Sequence, residues 1–268
     1  MSVTTLPPQV GPATRLRWAI GDTLTLTRRN LLHYTRVPMN LFFSLVQPVM
    51  FVLLFRYVFG GAIHPPSKVP YVDFLLPGVF VQTVAFGAVA TSIGLAEDLQ
   101  KGLVERFRAL PMARAAVLAG RTTADLCRNV VVVGIMTGVG FAVGFRPSAS
   151  AAAFVAAVGL ILLFAYALSW GFAFIGLSAP NSETAQVMSF PLLFPLTFAS
   201  STFVPVQFMP GWLRGFATYQ PVSVTATACR NLMIGGPVAS WVLQSVLWTA
   251  GFLVVMTPLA VWRYRTRS

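Results

Sequence analysis

Residues 151–179, AAAFVAAVGLILLFAYALSWGFAFIGLSA, contain no charged side chain. A helix needs about 20 mainly apolar residues to cross about 30 Å of hydrocarbon, so this stretch is long enough to span with some tilt. The rest of the chain agrees with it. Hydrophobic residues make up 56% of the 268 and charged residues 10%, against about 25% charged in soluble domains. Mean hydropathy is +0.74, and 22 residues are Phe. Those values exclude a cytosolic enzyme, a secreted disulfide scaffold and a disordered regulator. Outward from 151–179, five more stretches read as spans: 39–59, 74–96, 126–145, 184–204 and 238–262. The expected fold is an all-α integral membrane protein with six transmembrane helices.

Charge supplies the topology. Of the 19 cations, 17 are Arg, a bias that points to a GC-rich bacterial genome and so to a bacterial plasma membrane. Arg15, Arg17, Arg28, Arg29 and Arg36 precede the first span. Lys101, Arg106, Arg108, Arg114 and Arg121 lie between the second and third, with Arg128 at the edge of the third, and Arg263, Arg265 and Arg267 follow the sixth. Lys68, Arg146, Arg214 and Arg230 are left for the opposite face. Basic residues collect in cytoplasmic loops, so both termini are expected inside. A net charge of +12 is thereby explained by orientation, and no nucleic-acid partner is expected. Residues 1–14, with Pro7, Pro8 and Pro12, read as a disordered tail, and no signal peptide is visible. Residues 15–36 place Leu16, Ile20, Leu24, Leu31 and Tyr34 near a helical period among five Arg. They read as an amphipathic helix in the headgroup region, with a helix packed on protein as the alternative. Residues 264–268 form a short cytoplasmic tail.

The loop after the second span reads EDLQKGLVERFRALP over 97–111. Leu99, Leu103, Phe107 and Leu110 share one helical face, and Asp98, Lys101, Glu105 and Arg108 lie on the other side. Glu97 and Lys101 form an i,i+4 pair. Glu97 and Asp98 suit a helix start and Pro111 a stop. A membrane-surface helix would favour plain basic residues, so the mixed charge favours a protein partner with a groove.

On the other side, PVQFMPGWLRGFATYQPV (205–222) places Pro205, Pro210 and Pro221 among Phe208, Trp212, Phe216 and Tyr219. It is too short and broken to span. It reads as a re-entrant half-helix in the outer leaflet, with an interfacial aromatic-belt helix as the alternative. Polar groups inside spans are costly and mark pathways. Three pathway candidates result, each with a plainer alternative: Gln47 beside the kinking Pro48, or a simple packed kink; Arg56 near an outer helix end facing a cavity or Asp73, or snorkelling to the surface; and Glu183 at the turn between spans four and five, or a solvated loop-edge acid. Gly134, Gly138, Gly140 and Gly144 suit close helix packing. His33 and His64 have no metal-ligand partners at usable spacing, and no nucleophile–base pair is visible.

GLVERFRALPMAR (102–114) resembles the cytoplasmic loop of type-2 ABC transporter permeases of the daunorubicin-resistance class. SSTFVPVQFMPGWLRGFATYQPVS (200–223) is similar to that family's signature before its last span. The six-span layout with an amphipathic N-terminal helix is a third likeness, and together they cover about 15–263. The resemblance implies a permease domain over 37–263 that dimerises, as a homodimer or with a sister permease, and pairs with two separate ATP-binding subunits. It implies a coupling helix with Glu97, Gly102, Glu105, Arg106, Leu110 and Pro111 as contacts to the ATPase. It also implies an outer cap carried by Pro205, Pro210, Trp212 and Pro221, and export of a hydrophobic drug, lipid or glycolipid-like substrate. A P-loop needs Gly-Lys before Ser or Thr, and no Gly-Lys dipeptide occurs. ATP and Mg are therefore expected only through the partner. The rival readings are an ion-coupled secondary transporter, which needs more intramembrane acids, and a lipid-modifying membrane enzyme, which needs a polar catalytic cluster.

Overall fold

A computed structural model of the chain describes residues 12–36, 38–61, 69–103 and 114–266. Among these, all regular structure is helical. The elements are α1 (Pro12–Arg36), α2 (Pro38–Leu54, continued by a π-helical turn over Phe55–Phe59), α3 (Tyr71–Gln100), α4 (Arg114–Ala142), α5 (Ala151–Ser178), α6 (Ser182–Phe198), α7 (Gly211–Tyr219), α8 (Pro221–Ile234) and α9 (Ala239–Thr266). Four helices are long and apolar enough to cross a membrane: Tyr71–Gln100, Ala115–Ala142, Ala151–Ser178 and Ala239–Thr266. This is a multi-pass membrane protein built from a helix bundle.

Helix starts follow local chemistry. The Ser150 side chain accepts from the Ala153 amide at the start of α5, and Asn181 Oδ1 accepts from the Thr184 amide at 2.7 Å at the start of α6. Pro221 opens α8 at a position where no amide is needed, and the Gln220 side chain accepts from the Val222 amide. Glycines with positive φ mark ends: Gly102 (φ 66) follows α3 and Gly235 (φ 91) follows α8.

The helix α3 is the axis of the bundle. It is buried along most of its length and packs on α4, α5, α6 and α8. Two contacts are backbone-close. A Cβ on Gly176 would overlap the Ser92 main chain, and one on Gly78 would overlap Thr202. Of the four glycines expected to pack, Gly140 does, with a Cβ there 3.2 Å from Leu76 Cδ1, whereas Gly134 and Gly138 face open space and Gly144 (φ 96) forms a turn. The closest approaches are set where another backbone arrives.

Four expected boundaries are corrected. First, α4 begins at Arg114, not near 126, because Arg121 and Asp125 are paired within the bundle and do not interrupt it. Second, α6 stops at Phe198, short of Val204. There the Ser200 hydroxyl donates to Thr202 Oγ1 and accepts from the Thr202 amide, a local alternative to helix. Third, α8 occupies 221–234, a stretch assigned to no element on sequence. Fourth, Glu97 and Asp98 form the last turn of α3 and not the start of a new helix. Leu95 and Ala96 are buried, so the apolar face of α3 runs straight into them, and the chain turns only at Lys101–Gly102. The Glu97–Lys101 pair does form, at 3.3 Å. Residues 104–113, which carry Glu105, Arg106, Leu110 and Pro111, lie outside the described residues, as does the 1–11 part of the expected tail.

The helix α1 packs on α4 through Leu26 and Thr27, and the Thr27 hydroxyl donates to the Gly120 carbonyl at 3.2 Å. Its other face leaves Trp18, Ile20, Leu24 and Leu32 exposed. A Cβ on Gly120 would lie 2.7 Å from Leu26 Cβ. Gly120→Val is accordingly expected to loosen α1 by about 1–3 kcal/mol, read as faster amide exchange over 20–32 with α5 unchanged. Equal exchange in both proteins would refute this packing.

Candidate functional site

A cavity of about 220 Å³ lies between α2, α3 and α4, with Phe190 of α6 closing one side. Its lining is of two chemical kinds. Phe51, Phe86 and Phe190 supply three rings, while Gln82, Arg128 and Asn129 form a polar pole with Gln47 at the exposed rim. Gln82 and Asn129 are each 2% exposed. Neither the amide nitrogen nor the oxygen of Gln82 has a hydrogen-bond partner, nor does Asn129 Nδ2. Arg128 Nη2 donates to the Gly87 carbonyl at 2.8 Å and to Asn129 Oδ1 at 3.2 Å. Gly87 admits this: a Cβ there would stand 2.8 Å from the same guanidinium nitrogen. Arg128 and Gly87 fall about halfway along α4 and α3, so the charge counted as a loop cation belongs to the bundle interior. Interior cations in membrane proteins face cavities or partners because lipid would charge several kcal/mol for them.

A second group of charges sits nearer the α3 end. The Arg121 guanidinium lies 3.8 Å from both Asp98 Oδ2 and Asp125 Oδ2, and Nη2 donates to the Ala90 carbonyl at 3.3 Å. Asp125 is fully buried and accepts from the Thr91 hydroxyl at 2.6 Å. Gly94 leaves room for the guanidinium, which any side chain at that position would overlap. Asp98 closes one end of this group four residues before the Gly102 turn.

At the opposite end, Tyr71 donates to the Phe203 carbonyl at 2.9 Å, and Phe55 stacks on Phe203 with centroids 4.5 Å apart. Arg230, counted on sequence as an outer-face cation, is buried there. Its Nε donates to the Phe74 carbonyl and its Nη2 to the Ser201 carbonyl. Asp73 accepts from the Arg146 amide at 2.9 Å, while Arg56 stands 5.9 Å over the Tyr57 ring.

The sequence-predicted residues therefore fall in different places. Gln47 reaches the cavity rim. Arg56 and Glu183 line no part of that cavity, and Glu183 lies exposed in the first turn of α6, where a carboxylate suits the helix dipole. Glu97 and Gly102 flank the turn after α3. Pro205 and Pro221 are buried, whereas Pro210 and Trp212 are exposed, Trp212 at 82%. Sequence reasoning passed over Gln82, Asn129 and Asp125. The available signal was an amide or acid inside an otherwise apolar helical stretch.

Comparison with known proteins agrees with this architecture. Residues 22–234 match the family model described as ABC-2 type transporter. The chain is 36% identical over 251 residues to the daunorubicin resistance ABC transporter permease protein DrrB1 of Streptomyces coeruleorubidus, covering 93% of this chain and 88% of that protein. It is 27% identical over 270 residues to a protein of Mycobacterium tuberculosis named "Probable doxorubicin resistance ABC transporter permease protein DrrC", covering 100% and 96%. A third relative, the doxorubicin resistance ABC transporter permease protein DrrB of the same species, is 27% identical over 195 residues, 69% of this chain and 66% of that protein. The chain belongs to the ABC-2 type transporter family and is a transmembrane permease subunit of an ABC exporter.

Proposed function

We propose that this permease forms the path for a hydrophobic drug-like or lipid-like substrate, driven by two copies of a separate ATP-binding subunit that hold the ATP and Mg. The observation that carries this reading is the cavity about halfway along α3 and α4, lined by both phenyl rings and amides. The relatives named for resistance to daunorubicin and doxorubicin support this substrate class. A second permease copy completes the pathway, and the exposed apolar faces of α2 and α6, including Phe42, Met50, Leu192 and Phe194, are available to it or to lipid. The protein sits in a bacterial plasma membrane with both termini and the 101–113 loop in the cytoplasm. The basic bias of those segments supports this orientation.

Six passages are reached by adding α2 with its π-helical turn and α6 to the four long helices. The pair α7–α8 is read as a re-entrant hairpin. Trp248, nine residues into α9 and so about 14 Å from its start, donates to the Tyr219 carbonyl at the end of α7. The next helix, α8, returns to Ile234, whose carbonyl accepts from Ser148 in the loop after α4. The partner ATPase seats on the loop that follows Gly102, with Glu105, Arg106, Leu110 and Pro111 as contacts.

Co-expression with the cognate ATPase tests the reading. Gly102→Pro forces a negative φ on a turn that now has φ 66. Export is expected to fall at least tenfold with membrane-inserted permease unchanged, and Glu105→Arg is expected to weaken recovery of the complex. Unchanged export and complex in both variants would remove the docking role. Export that collapses with an uncoupler while ATP is intact would favour an ion-coupled carrier instead.

A further inference from the structure

The cavity's polar pole is rich in donors. Gln82 Nε2 and Asn129 Nδ2 are unpartnered donors, and Arg128 adds a guanidinium. Against them, among the buried side-chain atoms of the described residues, stands one unpartnered acceptor, Gln82 Oε1, since Asn129 Oδ1 already accepts from Arg128. Among the described residues, no carboxylate lines the cavity. Buried amides left without partners cost free energy unless something else completes them. A cationic group placed here would meet a like charge and an excess of N–H. Phe51, Phe86 and Phe190 in the same lining offer ring faces and edges for stacking. The volume, about 220 Å³, exceeds the ~150 Å³ of an apolar cavity that admits benzene, so a fused two-ring system fits.

We propose that this cavity is a recognition subsite for the cargo. It takes an aromatic portion against the three phenyl rings and binds a hydrogen-bond-accepting oxygen, a ketone or carboxylate, through Gln82, Asn129 and Arg128. The proposal rests on the export reading for its purpose, and it assigns the chemistry that selects the cargo.

Three probes of one shape test it: 2-naphthoate, 2-acetonaphthone and 2-ethylnaphthalene, equilibrated with the full-length permease in lipid nanodiscs, with partition into empty discs subtracted. Both oxygen-bearing probes are expected to bind at least tenfold tighter than 2-ethylnaphthalene. Gln82→Leu and Asn129→Leu should each shrink that ratio between about 3- and 10-fold while leaving 2-ethylnaphthalene unaffected. Gln82→Glu, which keeps the shape and adds negative charge, should selectively reject 2-naphthoate. Thermal melting identifies any variant that fails to fold, and the remaining variants then decide. Equal binding of all three probes, or an unchanged ratio in folded variants, overturns the subsite. Binding needs neither nucleotide nor partner. Loss of discrimination with ATP-driven export intact therefore removes the subsite alone, and discrimination without ATP-driven export removes the export reading alone.

Discussion

Arg230→Met is expected to cost about 3 kcal/mol or more of stability, read as a large fall in the melting temperature of the permease in detergent, with Arg230→Lys intermediate. The size follows from what the guanidinium holds. Residues 199–204 form a non-helical break beside α3, and backbone carbonyls in such a break must find protein partners because lipid offers none. Arg230 Nη2 donates to the Ser201 carbonyl at 2.8 Å and Nε to the Phe74 carbonyl at 2.9 Å. The guanidinium carbon also lies 3.7 Å from the Phe74 ring centroid. Hydrogen bonds from a charged donor contribute about 1.5–3 kcal/mol each, and the cation–π contact about 0.5–2. Met fills the volume but supplies none of these. Lys keeps the charge but not the fork that spans two carbonyls. An unchanged melting temperature in Arg230→Met would show that the break is held by other contacts. Tyr71 to Phe203 and Ser223 to the Ser201 amide would then be the ones to remove next.

The same residue shows where sequence reading stops. An Arg eight positions past an aromatic, Pro-rich segment reads as a solvated outer cation, because nothing nearby in sequence is its partner. Its partner Phe74 is 156 residues away. Asp73 and the Arg146 amide, 73 apart, are hidden in the same way. Local signals were sufficient where one stretch decides its own structure. The uncharged 151–179 run became α5 almost to the residue, and the stretch 238–262 became α9. In α1, Ile20 and Leu24 of the expected stripe are exposed beside Arg17, Arg28 and Arg29. Two residues of the next turns, Leu26 and Thr27, carry the protein contact instead.

Depth was the other blind spot. Counting Arg128 and Arg121 as loop charges assumed that cations end spans. The interior accepts both, since Gly87 and Gly94 vacate space for guanidinium groups and main-chain carbonyls accept their protons. Gln82 and Asn129 gave only weak signals because single amides are common in helices. Their meaning lies in being brought to one cavity by α3 and α4. A uniformly buried helix such as α3 carries almost no periodicity to read, since every face meets protein.

Arg121→Leu is expected to be the most damaging single change at the α3–α4 end, and a second substitution should separate its two effects. Asp125 is fully buried and accepts from the Thr91 hydroxyl, and losing the guanidinium 3.8 Å away removes the opposite charge from its low-dielectric surroundings. Breaking a buried pair from one side costs about 3–5 kcal/mol, whereas replacing both partners by apolar groups is often near neutral. Arg121→Leu should therefore greatly lower the melting temperature, and Arg121→Leu with Asp125→Leu should recover most of it. Export should not recover with it. Arg121 also faces Asp98, which stands four residues before the Gly102 turn, and the double variant leaves that carboxylate without its cation. Arg121 fastens α4 to the end of α3, the root of the loop proposed above as the ATPase seat, so on that proposal a slack root dissipates the stroke even in a stable bundle. Melting and ATP-driven export measured on the same preparations check the separation. If transport returns in step with stability, Arg121 serves folding alone and the coupling path runs elsewhere.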